Sequence, residues 1–259
     1  MALLSARKKL AARVAGGLAA ALALAAGAFV WWASTPLGPA PEALDALRSD
    51  ATVSVRSADG LMSFSPAEEP AYTGVVLYPG GRVDYRSYAP LAREIASRGY
   101  VVVVPEVPLN LAVFEPDAAD RAMRAHPDVS LWAVGGHSLG GAMAAQYAEE
   151  NPDRVVALVL LAAYPAGNTD LSDNDIAAVS LFGTKDGVLS EDGMERSVDL
   201  LPEDTDFHRI EGGNHAQFGS YGHQPGDNDA QLSAEDQQRE AAEAIALLMR
   251  GFRLRTLTP

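Results

Sequence analysis

The sequence predicts an α/β fold in which a mainly parallel central sheet carries helices on both faces, with a single N-terminal transmembrane helix ahead of it. Three observations lead there. Beyond Gly74, short apolar runs alternate with stretches of helical pattern. Several of those runs are apolar at every position rather than every second one, as in strands covered on both faces. Val14 to Ala33 is a separate stretch of 20 residues without a charge. Alternation of strand and helix brings right-handed crossovers, and therefore parallel strands.

The uncharged stretch comes first along the chain. At ~1.5 Å per residue, a helix of that length just spans a hydrocarbon core. It ends in Trp31 and Trp32, side chains suited to a membrane interface. Arg7, Lys8, Lys9 and Arg13 precede it, so the positive-inside rule keeps the N terminus cytoplasmic and sends the remainder across. Residues 1–33 are thus expected to form a single-pass anchor in the cell membrane, with an extracytoplasmic domain behind it. Ala26-Gly27-Ala28 also fits a small-x-small cleavage site, so a removed signal segment and a secreted protein stay open, as does a helix buried in a soluble core. Residues 34–50, rich in Pro, Ala and Gly, read as a linker. Residues 51–259 are long enough for one sizeable core and are expected to form one domain.

The 259-residue chain has a formal charge of −14. The first 41 residues hold four bases and no acid, which leaves 16 basic against 34 acidic residues, a net of −18, for the rest. A surface that acidic repels phosphate backbones and argues against a nucleic-acid partner. There is no cysteine, which excludes disulfides, thiolate metal sites and a cysteine nucleophile together.

In the expected domain, "ATVSVRS" and "LMSFSP" flank an Asp59-Gly60 pair, the signature of a hairpin. Strand-like runs then follow at 75–79, 100–105, 131–136, 155–162, 177–183 and 206–210. Helices are expected near 85–98, 116–125, 139–150, 190–200 and 234–249. Ser233 and Asp236 are spaced for a capping box at the start of the last one.

Gly136-His137-Ser138-Leu139-Gly140 matches G-x-S-x-G at the point where an apolar run becomes a helical pattern. A sharp strand-to-helix turn of this kind holds a serine in strained dihedrals, and only glycine leaves room for the neighbouring backbone. Gly136, Gly140 and Gly141 supply that room. The alternative is a small residue in an ordinary turn.

A serine hydroxyl is a poor nucleophile, so a base must take its proton and an acid must orient that base. Of five histidines, His215 in "EGGNHAQFG" follows the last strand in a glycine-rich loop that can reach back over the sheet, with His223 as the nearest competitor. Asp186 follows "AAVSLFG" at the carboxyl edge of the sheet, where such sites form. Asp170, Asp173 and Asp175 lie ahead of that strand and read as solvated loop residues. The resulting chain order is Ser138, Asp186, His215.

Residues 72–250 resemble the α/β-hydrolase superfamily. "YPGGRVDY", "GGHSLGGAMAA", "FGTKDGV" and "EGGNHAQFG" are similar to its compact, dienelactone-hydrolase-like bacterial branch. The resemblance implies a serine esterase that cleaves a small-molecule ester or thioester without metal or organic cofactor, with Ser138 as nucleophile, His215 as base then acid, and Asp186 as its orienting partner. Dienelactone hydrolases themselves carry a cysteine nucleophile, so their substrate does not transfer. The oxyanion needs two donors: one is expected at Leu139 N–H, just after the nucleophile. The match of Pro79-Gly80-Gly81 to the family's His-Gly-x loop implies Gly81 N–H as the other, a tight turn being the alternative. Arg82 fits either a substrate carboxylate or a surface ion pair. Only about 14 residues separate the runs ending at Ala162 and starting at Ala177, too few for a multi-helix cap. Val107, Leu109, Leu111, Phe114, Tyr164 and Phe218 are candidate walls of an open site. Acyl transfer to an alcohol or amine by the same residues, or a non-catalytic binding role on the same fold, remain as alternatives, and the oligomeric state is not encoded in any motif.

Overall fold

The computed structural model describes residues 2–189 and 191–256. Residues 1, 190 and 257–259, at the edges of the expected N-terminal segment, of the 190–200 helix and of the domain, lie outside the described residues. The chain divides into two compact units, Met1–Pro36 and Leu37–Pro259. The first is built on helix α1 (Ala2–Ala33). Within it, Arg13–Ala33 is 21 residues with a mean hydropathy of 1.9, long and apolar enough to cross a membrane.

The second unit is organised by one eight-stranded sheet in the order β1-β2-β4-β3-β5-β6-β7-β8. The strands are β1 (Val53–Ala58), β2 (Leu61–Pro66), β3 (Thr73–Tyr78), β4 (Val101–Pro105), β5 (Leu131–His137), β6 (Ala157–Leu161), β7 (Ala177–Gly183) and β8 (Asp206–Ile210). From β4 to β8 all pairings are parallel, and the antiparallel β1–β2 hairpin is added at the β4 edge. Asp59 and Gly60 both take positive φ, 54° and 69°, which gives the hairpin the turn twist that an Asp-Gly pair favours.

Continuous apolar runs occur because alternate residues feed two cores. Val75, Leu77, Val102, Val159 and Leu161 face α3 (Ala89–Ala96) and α7 (Ala234–Thr256), whereas Val76, Val103, Val134, Leu158 and Leu160 face α4 (Ala118–Ala125) and α5 (Leu139–Glu150). Each fully buried Val or Leu contributes about 1.5–3 kcal/mol relative to exposure, so neither face tolerates a register slip. The last helix opens on the expected capping box, with Ser233 Oγ accepting the Asp236 N–H at 3.1 Å and donating to its carboxylate at 2.7 Å. It runs past the expected end at 249, to Thr256, and Phe252 in the added stretch packs against the same core as Ile245 and Met249.

The linker expected over 34–50 is shorter than its composition suggests. Leu37 bridges to Val83, Ala40 N–H donates to Ser220 O at 2.9 Å, and α2 (Pro41–Asp45) buries Ala43. The Arg93 guanidinium closes the segment by donating to Ala46 O and pairing with Asp50. Proline and glycine reported the lack of a strand here, not a lack of packing.

Pairings Tyr78↔Gly136, His137↔Leu161 and Gly183↔Ile210 align the carboxyl ends of β3, β5, β6, β7 and β8 on one rim. Residues 162–176 between β6 and β7 contain turns but no helix, so no helical cap is inserted between these two strands.

Candidate active site

Ser138 stands between β5 and α5 with φ 51° and ψ −121°, a region that a residue with a side chain occupies only under constraint. The constraint is visible. Ser138 N–H is tied to Leu161 O at 2.9 Å, and its own carbonyl accepts from Gly141 and Ala142 at 3.0 and 3.2 Å. The flanking glycines are sites of contact: a Cβ on Gly140 would strike the carbonyls of Tyr78 and Pro79, and one on Gly136 the backbone of Gly140. The turn therefore brings β3, β5 and α5 closer than any side chain would allow.

Asp186 and His215 come together from two loops. Asp186 Oδ1 accepts the N–H groups of Val188 and Leu189 at 2.8 and 2.7 Å, and Oδ2 lies 2.8 Å from His215 Nδ1. The two side chains are 5% and 1% exposed, so this charged contact is shielded from solvent. His215 Nε2 is buried without a hydrogen-bond partner. Ser138 and His215 line one cleft of about 290 Å³, yet no hydrogen bond joins Ser138 Oγ to Nε2, a contact that commonly tightens only with substrate in place.

The other histidines are committed elsewhere. His126 Nε2 meets Ser63 Oγ at 2.8 Å, His208 Nε2 meets Glu240 at 2.9 Å, and His223 is exposed. His137 is buried beside the pair, its ring centroid 4.6 Å from that of His215. Burial first, and the neighbouring His215 ring second, hold its imidazole well below the ordinary histidine range, while the His215 backbone pulls the other way. A neutral His137 can accept the Tyr88 O–H at Nδ1, 2.8 Å away, while Tyr88 Oη accepts the Gly80 N–H at 2.9 Å. This chain fixes the Pro79–Gly81 loop against the residue before Ser138. A Cβ on Gly81 would sit 3.1 Å from Leu139 Cδ2, so the two expected donor residues are neighbours. Leu139 is the first residue of α5, so its N–H has no intrahelical acceptor.

The cleft wall differs in part from expectation. Tyr164 lines it, with Leu139, Ala142, Ala163, Val188 and Leu189. Phe218 instead lies wholly buried, 5.9 Å from the His137 ring, because the His215 loop folds inward there. Val107 and Leu111 are buried, Leu111 against Gly81, and Phe114 stays half exposed. Asp170, Asp173 and Asp175 are exposed, as expected.

Three supporting residues escaped the sequence reading. Gln237 on α7, fully buried, clamps the peptide before His215: Oε1 accepts Asn214 N–H at 3.0 Å and Nε2 donates to Asn214 O at 2.7 Å. Tyr88 and Asp227 are the others, and neither carries a local signal: an aromatic within the expected 85–98 helix and an Asp in "PGDND" look like ordinary core and turn residues. Among the described residues no group of three or more His, Asp or Glu is arranged to hold a metal ion.

A strained serine between strand and helix, and a buried Asp-His pair on the same rim of a mainly parallel sheet, define an α/β-hydrolase architecture. Residues 74–239 match the model of the alpha/beta hydrolase family, and the chain belongs to that family. Cutinase cut1 of Thermobifida fusca is 31% identical over 185 residues, covering 61% of this chain and 56% of the relative. Cutinase 2 of Thermobifida cellulosilytica is 31% identical over 112 residues, 38% of this chain and 42% of the relative. The chain thus spans about half the length of these relatives. The crystal structure of a predicted CIB-like hydrolase from Thermoplasma acidophilum superposes with a TM-score of 0.54 at 14% identity, over 76% of this chain and 98% of that one, which speaks for the fold.

Proposed function

We propose that the protein is a serine hydrolase that cleaves a carboxylic ester or thioester through an acyl-serine intermediate. The observation that carries the reading is the buried Asp186–His215 contact opening into the cleft that Ser138 lines. With Nδ1–H donated to Asp186, the lone pair of His215 is confined to Nε2, the nitrogen left without a partner.

In this reading Ser138 Oγ attacks the carbonyl carbon as its proton passes to Nε2. The oxyanion is held by the N–H groups of Leu139 and Gly81, each such donor supplying ~3 kcal/mol of transition-state stabilisation. Collapse expels the alcohol or thiol, which takes the proton from Nε2. Water then repeats the cycle on the acyl-serine and releases the acid.

The resemblance to proteins named cutinase supports an ester substrate, and the mostly apolar lining of the cleft supports an uncharged acyl group. With Arg7, Lys8, Lys9 and Arg13 ahead of the Arg13–Ala33 span, the reading extends to a domain tethered outside the cytoplasm. A fluorophosphonate probe tests the chemistry: labelling that maps to Ser138 by peptide mass supports the proposal, and an unlabelled or elsewhere-labelled protein refutes it.

A further inference from the structure

We propose that Asp227 is a positioning residue whose single carboxylate locks the loop bearing the acid to the loop bearing the base. The inference rests on the Ser138–His215–Asp186 reading. Asp227 Oδ1 accepts the Gly187 N–H at 2.9 Å and the His215 N–H at 3.3 Å, and Oδ2 accepts the Ala216 N–H at 2.8 Å. It also closes its own turn through the Asn228 N–H at 2.9 Å. Gly187 follows Asp186 and Ala216 follows His215, so a third segment grips the main chain at both members of the pair.

The other fasteners act differently. Gln237 and Gln238 hold only the His215 loop, through Asn214 and Gln217. Lys185 N–H to Gly213 O, 2.7 Å, joins the two loops at their roots. Asp227 joins them beyond Asp186 and at His215. The seat is shaped for it: a Cβ on Gly187 would lie 2.8 Å from Asn228 N and from Gly226 O. The chemistry is equally specific, because a carboxylate only accepts, whereas an amide in its place would turn an NH₂ toward N–H donors. Charge-assisted bonds of this kind are about twice as strong as neutral ones. Catalytic groups need to be held within ~0.5 Å of the productive geometry, so slack between the two loops lowers the chemical step. Asp227 is not itself among the residues that line the cleft, so the expected loss falls mainly on the chemical step.

The test uses the full chain with p-nitrophenyl acetate as probe. Asp227→Asn is expected to lower kcat about 10- to 100-fold with KM within about twofold, the size of loss typical of residues that orient a reacting group. Asp229→Asn, an exposed neighbour with the same charge change, leaves both constants as in wild type. Added to Asp186→Asn, Asp227→Asn costs less than about a further twofold, because it acts through the same pair. A merely structural role would multiply the two losses. Wild-type kcat in Asp227→Asn, a change confined to KM, or multiplicative losses in the double variant each overturn the proposal. Gly187→Ala spoils the same seat from the other side and carries the same expectation should Asp227→Asn fail to fold. An active Ser138→Ala would remove the underlying reading itself; an inactive Ser138→Ala beside a fully active Asp227→Asn would remove only this inference.

Discussion

His215 Nδ1 lies 2.8 Å from Asp186 Oδ2, and the second oxygen of that carboxylate is already taken by two main-chain N–H groups. The carboxylate is thus fixed before it meets the imidazole. Asp186→Asn keeps the shape but offers an amide in place of a pure acceptor, releasing the tautomer that leaves Nε2 free. Steady-state kinetics should show kcat reduced by about 10⁴-fold with little change in KM.

Gly140 is the second lever. Its Cα faces the carbonyl oxygens of Tyr78 and Pro79, backbone that cannot move aside without opening β3 from β5. Gly140→Ala should destabilise the domain by about 1–3 kcal/mol or more, read as a lower urea midpoint, and should abolish labelling by fluorophosphonate in the fraction that folds.

How far the sequence reaches is visible at these residues. The strands and the elbow were legible because burial on both faces and close backbone approach leave marks in composition: unbroken Val and Leu runs, and glycine where no Cβ fits. The Asp186–His215 contact followed from each residue's place just beyond a strand. Packing between distant segments left no such mark. Residues 37–50 looked like a linker because contacts made through single residues such as Leu37 and Ala43 have no period. Asp227 and Gln237 act through side-chain bonds to main-chain atoms 11 to 40 residues away, which no local pattern encodes.

Tyr88 tests the proposed role of the Pro79–Gly81 loop. Its hydroxyl accepts from Gly80 and lies against His137 Nδ1. Tyr88→Phe leaves a buried N–H unpaired, at about 1–3 kcal/mol in stability, and loosens the loop that carries Gly81. Activity on a p-nitrophenyl ester should drop about tenfold, mainly in kcat, alongside a lower denaturation midpoint.

His137 gives a pH signature in stability. Burial holds its folded-state pKa well below the ordinary histidine value of about 6.5. Below about pH 6.5 the unfolded chain binds a proton that the folded one refuses, so stability falls with falling pH until the folded value is reached. The contribution has a limiting slope of ~1.4 kcal/mol per pH unit. Urea midpoints at pH 7.5, 6.5 and 5.5 should fall more steeply for wild type than for His137→Gln; parallel lines would show that His137 takes no part.

The account stands or falls with Ser138. The direct measurement is kcat/KM for p-nitrophenyl acetate in wild type and Ser138→Ala, both confirmed as folded by circular dichroism. A loss of at least about 10³-fold is expected when the nucleophile of such a triad is removed; turnover at the wild-type rate would mean that the reaction does not pass through this serine.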